Sequence, residues 1–334
     1  MSTDQAPPAR AAARTARTAE VSVVVCAYTE ARWNDLGAAV ESVRRQSAPA
    51  LEIIVVVDHN ATLFARVREE LEGVVAVENR EERGLSGARN SGIAVASGSI
   101  VAFLDDDAVA APDWLERLAR GYADPRVLGV GGGVEPHWLG GRPRAFPTEF
   151  QWVVGCTYRG MPETTSRVRN IIGANMSLRR DVFVEVGGFR SGIGRVGTRP
   201  VGCEETELCI RAQRRWPEGV ILFEPRAAVR HTVPASRAGW KYFTSRCYAE
   251  GLSKALVARF AGAEAGLSSE RTYVVRTLPR GVARGVADAL RGDVAGLGRA
   301  GAIVAGLLVT SVGYVVGTRR AGPSPIQPQA HLHA

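Results

Sequence analysis

No two of the five cysteines, Cys26, Cys156, Cys203, Cys209 and Cys247, stand in CxxC spacing, and their number is odd. This argues against a disulfide framework or a cysteine zinc site and favours reduced thiols in a cytosolic compartment. The first 20 residues hold Ala, Arg, Thr and Pro but no apolar run. They read as a disordered arm; a transit peptide shares the composition, whereas a secretory signal needs the apolar segment they lack. No glycine lies between Cys26 and Arg32. That removes the Gly-rich phosphate loop a sugar nucleotidyltransferase would place after its first strand. No internal repeat is present, which excludes solenoid and propeller architectures. Acidic residues are scarce in the last third. Residues Arg226–Arg320 carry 15 Lys/Arg against 5 Asp/Glu, whereas Val21–Pro225 carry 24 against 27. A slightly acidic main domain therefore precedes a strongly basic tail, which suits an anionic partner such as a lipid surface or a nucleic acid.

The 334 residues, 46% of them hydrophobic, suffice for one large α/β domain with an appendage. Val21–Ala27 and Leu51–Val57 are continuous apolar runs, the pattern of strands buried on both faces. Val74–Val77 and Ser99–Leu104 are read as further strands, and Val127–Val130 begins a fifth. Helical spacing marks Trp33–Gln46, Ala61–Leu71 and Gly84–Ala96, and Pro112 fits the first turn of another helix. This alternation predicts a doubly wound, mostly parallel sheet with helices on both faces, whose ligands bind at the carboxyl ends of the strands. Polar residues gather at those ends: Tyr28–Glu30, Asp58 and Asp105–Asp107. Beyond residue 135, strands are read at Asn170–Leu178 and Val220–Phe223, and helices at Glu204–Arg215 and Ser236–Phe260.

The triplet Asp105-Asp106-Asp107 closes an apolar strand. Three successive carboxylates repel one another, and a divalent cation offsets that cost. Hard oxygen ligands suit Mg2+ or Mn2+, which in turn grip a diphosphate. The plainer alternative is an acidic loop capping the helix at Pro112.

The triplet does not stand alone. Val23–Thr29, Glu52–Asp58, Gly84-Leu85-Ser86-Gly87-Ala88-Arg89-Asn90, the triplet, Gly173-Ala174-Asn175-Met176-Ser177, Val186-Gly187-Gly188-Phe189 and Glu204-Glu205-Thr206-Glu207-Leu208 follow one another. In this order and spacing they resemble family-2 glycosyltransferases, over roughly residues 21–232. The resemblance implies the GT-A nucleotide-binding fold and an inverting transfer from a nucleotide-diphosphate sugar, UDP-sugar favoured. It gives Ala27, Tyr28, Glu30 and Asp58 to the base and ribose. Asp58-His59-Asn60 departs from the family's usual aspartate pair, which leaves open the atoms of the base that are read. Asp58 could equally cap the following helix. The resemblance gives Asp105 or Asp106 to the ribose and Asp107 to the metal, with His231 as a further metal ligand or simply a packed side chain. Arg83, Arg89 and Asn90 fall beside the nucleotide, although Arg89 could serve as a structural ion-pair partner. Asn175 falls where relatives bind the donor sugar. Glu205 matches the catalytic base, with Glu204 and Glu207 as alternatives and a solvated acidic helix start as the plain reading. Trp152, Trp216 and Trp240 could stack on sugars, or pack in the core.

From Val274 to Leu290, apolar residues recur every four positions, with Arg276, Arg280 and Arg284 opposite them. Ala300–Gly317 has no charge and is borderline in length for a bilayer span. Together they read as a membrane-surface anchor, against a buried terminal helix or an oligomer contact. The expected organisation is an arm at 1–20, a glycosyltransferase domain at 21–235, a helical basic and apolar extension at 236–320, and a disordered tail at 321–334. The expected partners are a nucleotide-sugar donor, a lipid-linked, saccharide or small-molecule acceptor, and the inner face of the cell membrane. Nucleic acid is not expected, because it leaves the carboxylates at successive strand ends unexplained. A non-catalytic carbohydrate-binding relative is the alternative to an enzyme, and turnover of a nucleotide sugar separates the two.

Overall fold

A computed structural model describes residues 20–191, 202–261 and 270–320. The arm and tail assigned to 1–20 and 321–334 lie outside the described residues, Glu20 excepted. The first half alternates as the apolar runs predict. It comprises β1 (Val21–Ala27), α1 (Trp33–Arg44), β2 (Glu52–Val57), α2 (Ala61–Glu70), β3 (Val75–Glu78), α3 (Leu85–Val95) and β4 (Ile100–Asp105). Strands β3, β2, β1 and β4 pair in parallel in that order. Val23 and Val25 of β1 face one core with Leu36, Val40 and Val43 of α1; Val24 faces the other with Phe103 and Ala88. Helices thus cover both faces, as runs buried on both sides require.

The second half is irregular. β5 (Ala108–Ala110), α4 (Trp114–Gly121), β6 (Val127–Trp138), β7 (Ser166–Val168), β8 (Asn175–Arg179), α5 (Arg180–Val186), α6 (Glu204–Arg215) and β9 (Val220–Val233) follow. The sheet continues from β4 through β8, β6 and β9 to β5, and β7 pairs with β9. β8 runs antiparallel to both β4 and β6, so the sheet is mixed in this half. The strand expected at Asn170–Leu178 begins only at Asn175, where pairing with Leu104 starts. The strand expected to end at Phe223 runs to Val233, because β9 passes a register shift and then pairs with both β6 and β5.

The C-terminal segment is α7 (Trp240–Ala261), α8 (Leu278–Leu290) and α9 (Ala295–Arg320). Pro279 sits in the first turn of α8, where its missing N–H is harmless. α9 packs along α7 at near backbone contact. A Cβ on Gly313 would meet the Tyr248 carbonyl oxygen at 2.2 Å, and one on Gly251 would meet that of Thr310 at 2.1 Å. Glycine at these crossings lets the two helices touch without intervening side chains. α9 also covers the 148–154 segment, with the Phe150 ring lying against Gly306. All five cysteines are free.

Candidate active site

β4 is buried up to Leu104 and delivers Asp105 at its carboxyl end. The chain then turns through Asp106 and Asp107 into β5. Antiparallel pairing of β5 with β9 sets Ala108 opposite His231. That register closes a separation of 124 residues: His231 Nε2 lies 3.0 Å from Asp107 Oδ1. The Asp107 carbonyl oxygen also accepts from Thr232 N at 2.8 Å. One donor atom each from Asp105, Asp107 and His231 can be chosen so that all lie within 4.8 Å of one another. The triplet does not cap α4, whose N-cap is Asp113.

Arg32, just before α1, donates to Asp106 at 2.7 Å and reaches Asp107 at 3.1 Å. Arg237 stands 3.9 Å from Asp107. Burial, opposed by Arg32 and reinforced by Asp107 and Asp105, pushes Asp106 up to about 7. Burial also works against an ionised Asp107, yet His231, Arg32 and Arg237 together hold it well below the usual carboxylate range. Asp106 Oδ2 is buried without a hydrogen-bond partner among the described residues. Two carboxylates, an imidazole and an orphaned acid oxygen make a donor set that fits a hard divalent cation.

At the ends of β1 and β2, the Ala27 carbonyl oxygen accepts from Asp58 N at 2.8 Å. Asp58 Oδ1 accepts from Asn79 Nδ2 at 2.6 Å, and its Oδ2 accepts from Gly84 N at 2.9 Å. The carboxylate therefore fixes the loop leading into α3. Asn60, not Asp58, caps α2, accepting from Leu63 N at 3.0 Å. The Asn60 amide also ties Tyr28 O and Glu30 Oε2 together, at 3.1 and 2.9 Å. Tyr28 and Glu30 are exposed, and the Tyr28 ring lies 5.6 Å from the Arg32 guanidinium. Arg83 is exposed and donates to His59 O.

Asn90 and Asn175 both make internal bonds. Asn90 bonds Phe189 through both N–H and C=O, each at 2.8 Å, and so holds the turn after α5. Asn175 is fully buried. Its Oδ1 accepts from Trp114 Nε1 at 2.7 Å, and its Nδ2 donates to Gly133 O and Ala227 O. These bonds pin β8 to β6 and β9. The strand start turns this side chain into the core, and Gly173 and Ala174 alone of that motif line the cavity.

Arg89 of α3 is buried and joins four parts of the site. It donates to Glu204 Oε1 at 2.8 Å and to Gly173 O at 3.0 Å, and lies 3.7 Å from Asp105. Its guanidinium sits 5.2 Å from the Phe189 ring centroid. Three acids open α6. Glu204 pairs with Arg89, and Glu207 pairs with Arg211 and Arg190. Glu205 lines the cavity and has no ion pair among the described residues. Burial, and next the Glu204 charge, push its carboxyl up to about 8.

The cavity measures 740 Å3. Asp105, Glu204, Glu205 and His231 line it, as do Trp152 of the 148–154 segment, Tyr273 in the turn that leads into α8, and Leu307 and Tyr314 of α9. Trp152 Nε1 donates to Tyr273 OH at 3.1 Å. Trp216 packs against the core, and Trp240 stacks on Phe243, so Trp152 alone of the three lines the cavity.

A family model described as glycosyl transferase family 2 matches residues 22–187. A glucosyl-dolichyl phosphate glucuronosyltransferase of Haloferax volcanii is 41% identical over 239 residues, which is 70% of this chain and 76% of that protein. The chain belongs to glycosyltransferase family 2. Succinoglycan biosynthesis protein ExoM of Rhizobium meliloti is 27% identical to this glycosyltransferase over 244 residues, covering 70% of this chain and 74% of the relative. Among solved structures, the mannosyltransferase PcManGT from Pyrobaculum calidifontis, in complex with GDP-Man and Mn2+, matches with TM-score 0.56. It is 17% identical and covers 88% of each chain, a likeness that carries the GT-A fold.

Sequence reasoning passed over several residues of this glycosyltransferase site. Arg32 and Arg237 meet the triplet only in three dimensions, since each lies more than 70 positions away. Asn79 follows β3 in an unremarked polar turn. The Arg89–Glu204 pair was foreshadowed only by the ion-pair alternative for Arg89.

Proposed function

We propose that this glycosyltransferase moves a sugar from a UDP-sugar to a hydroxyl of a lipid-linked acceptor, with inversion, at the inner face of the cell membrane. One observation carries the reading. Glu205, the acid at the start of α6 without an ion pair among the described residues, shares a 740 Å3 cavity with Asp105 and His231, and residues of the C-terminal helices also line it. Asp107 and His231, with Asp105 beside them, would hold Mn2+ or Mg2+. When bound, the ion supplies electrostatic stabilisation to the leaving diphosphate. Ala27, Tyr28, Glu30, Asp58 and Arg83 border the base and ribose, with Asp105 or Asp106 toward the ribose. Asn90 acts there through the Phe189 turn.

The Glu205 carboxylate takes the proton of the acceptor hydroxyl. The hydroxyl oxygen bonds to the anomeric carbon as the bond from that carbon to the diphosphate oxygen breaks, and the electron pair leaves with the nucleotide. Attack opposite the leaving group inverts the anomeric centre. The raised Glu205 carboxyl is a stronger base than an ordinary glutamate. Arg89 keeps Glu204 occupied and orients the start of α6.

The name of the Haloferax volcanii relative contains a lipid-linked acceptor, and this supports the same class here. So does α9. Among the described residues, Ala295–Arg319 is long and apolar enough to cross a bilayer. One side of α9 packs on α7 and lines the cavity, while Val304, Leu308 and Val312 are exposed on another. A helix used on one side and apolar on the other fits a position in the membrane surface. The test is incubation with Mn2+, a panel of nucleotide sugars and a polyprenyl-phosphate sugar acceptor, with the anomeric configuration of the product read by NMR. An inverted product formed from a UDP-sugar supports the reading. Retained configuration, or transfer to soluble sugars alone, overturns it.

A further inference from the structure

A second cleft, of 370 Å3, opens between the 142–159 segment and the α8–α9 hairpin. Arg142, Arg144, Arg159, Arg284 and Arg299 line it, against the acids Glu149 and Asp288. Three of the arginines are matched. Arg284 donates to the buried Glu149, Arg144 to Asp293 at 2.9 Å, and Arg299 to Asp288 and Asp293 at 2.8 Å each. Arg142 donates to the Phe146 carbonyl oxygen at 2.7 Å, and neither Arg142 nor Arg159 has a carboxylate ion pair among the described residues. Partial burial and the neighbouring Arg299 and Arg159 charges hold Arg142 below its ordinary value. Guanidiniums gathered in a concave surface with acids too few to match them suit phosphate oxygens, which accept from them bidentately.

The adjoining surface is apolar. Leu290, Val294 and Leu297, around the hairpin turn, are 85%, 74% and 59% exposed. Asp293, inside that turn, is the residue that Arg144 and Arg299 hold, so ridge and cleft are continuous. From Leu297 the ridge passes along α9 through Val304, Leu308 and Val312. An aliphatic ridge bordered by arginines complements an anionic bilayer: side chains enter the acyl boundary while guanidiniums stay at the phosphates.

We propose that this cleft seats the phosphate of an anionic phospholipid headgroup and thereby fixes how the enzyme lies on the membrane. The proposal deepens the membrane-surface reading above and rests on it. Residues 307, 310 and 314 of α9 line the catalytic cavity, next to the ridge residues 308 and 312. A headgroup held at the hairpin end of α9 therefore sets the cavity against the lipid from which a lipid-linked acceptor comes.

The test is flotation of the full chain with vesicles of phosphatidylcholine alone and of phosphatidylcholine mixed with phosphatidylglycerol. The wild type is expected to prefer the anionic vesicles. Replacing both Arg142→Gln and Arg159→Gln should weaken anionic binding about 30-fold, taking each basic residue at its usual worth near such a surface. Binding to neutral vesicles and turnover on a soluble acceptor should stay unchanged. The matched pair Arg120→Gln and Arg126→Gln, both on exposed surface, should leave flotation as it was. Equal losses in the two double variants would reduce the effect to diffuse charge and overturn the cleft. A wild type that floats with neither vesicle removes the membrane reading itself. Sodium phosphate should release the protein from anionic vesicles more readily than sodium chloride of equal ionic strength; equal release overturns a phosphate site. If inorganic phosphate binds without vesicles and the lipid adds no affinity, the ligand is a free anion and the headgroup assignment fails.

Discussion

Arg89 Nη1 stands 2.8 Å from Glu204 Oε1, with both side chains buried at the junction of α3 and α6. The pair divides labour between adjacent acids. Glu204 is neutralised and held, and Glu205 stays available in the cavity. Removing one member of a buried pair leaves the other charge uncompensated, which costs about 3–5 kcal/mol. Arg89→Met should therefore lower stability to denaturant by that amount. A loss below about 1 kcal/mol would mean that the pair is far better solvated than its burial implies.

Glu205 is held at about 8 by burial and by Glu204. A base must be deprotonated, so transfer should rise with pH through about 8 and level off above it. The same shift sets a stability trend. The folded carboxyl keeps its proton longer than the unfolded one, so stability falls as pH climbs from the unfolded value near 4.5 to about 8. Glu205→Gln should remove this decline. Denaturant titrations of both proteins across that window check it, and parallel curves would contradict the shift.

Asp107 meets His231, Arg32 and Arg237 at once. Asp107→Ala should abolish the extra thermal stabilisation that UDP gains from Mn2+. The informative quantity is the manganese-dependent increment within each protein, since removing a buried carboxylate also changes the baseline. An increment of wild-type size would take Asp107 out of the metal site.

The backbone contact between α7 and α9 makes a separate prediction. Gly313→Val would force the helices apart, because a first side-chain carbon already meets the Tyr248 carbonyl oxygen at 2.2 Å. Overpacking of this kind costs about 1–3 kcal/mol. Transfer should fall while UDP binding persists, on the proposal that the acceptor enters beside the α9 residues that line the cavity. Unchanged transfer would separate α9 from the acceptor.

The parallel half of the sheet was legible because β1, β2 and β4 are buried on both faces, so their sequences are nearly uninterrupted apolar runs. β5 was not legible: three residues, Ala108–Ala110, are too few to show a period. Yet β5 is the element that carries His231 to Asp107. The family motifs located Asp105–Asp107 and Glu205 as positions. They did not separate residues that face the cavity from residues that hold it. Asn175 and Asn90 lie within motifs and bond inward. Strand register and helix phase decide that, and both depend on partners distant in sequence. Arg32 and Arg237 carried no local signal, since each ends a three-residue 3-10 turn, too short to show a pattern.

The most direct test of the account replaces Glu205 by Gln and, separately, Glu204 by Gln. The readouts are donor binding, followed by thermal shift with UDP and Mn2+, and sugar transfer. Glu205→Gln is predicted to keep donor binding and to lose about 10²–10⁴-fold in transfer, the usual contribution of a general base. Glu204→Gln is predicted to act mainly on stability, through the unpaired Arg89. Normal transfer by Glu205→Gln, with collapse in Glu204→Gln at unchanged stability, would contradict the assignment of the base.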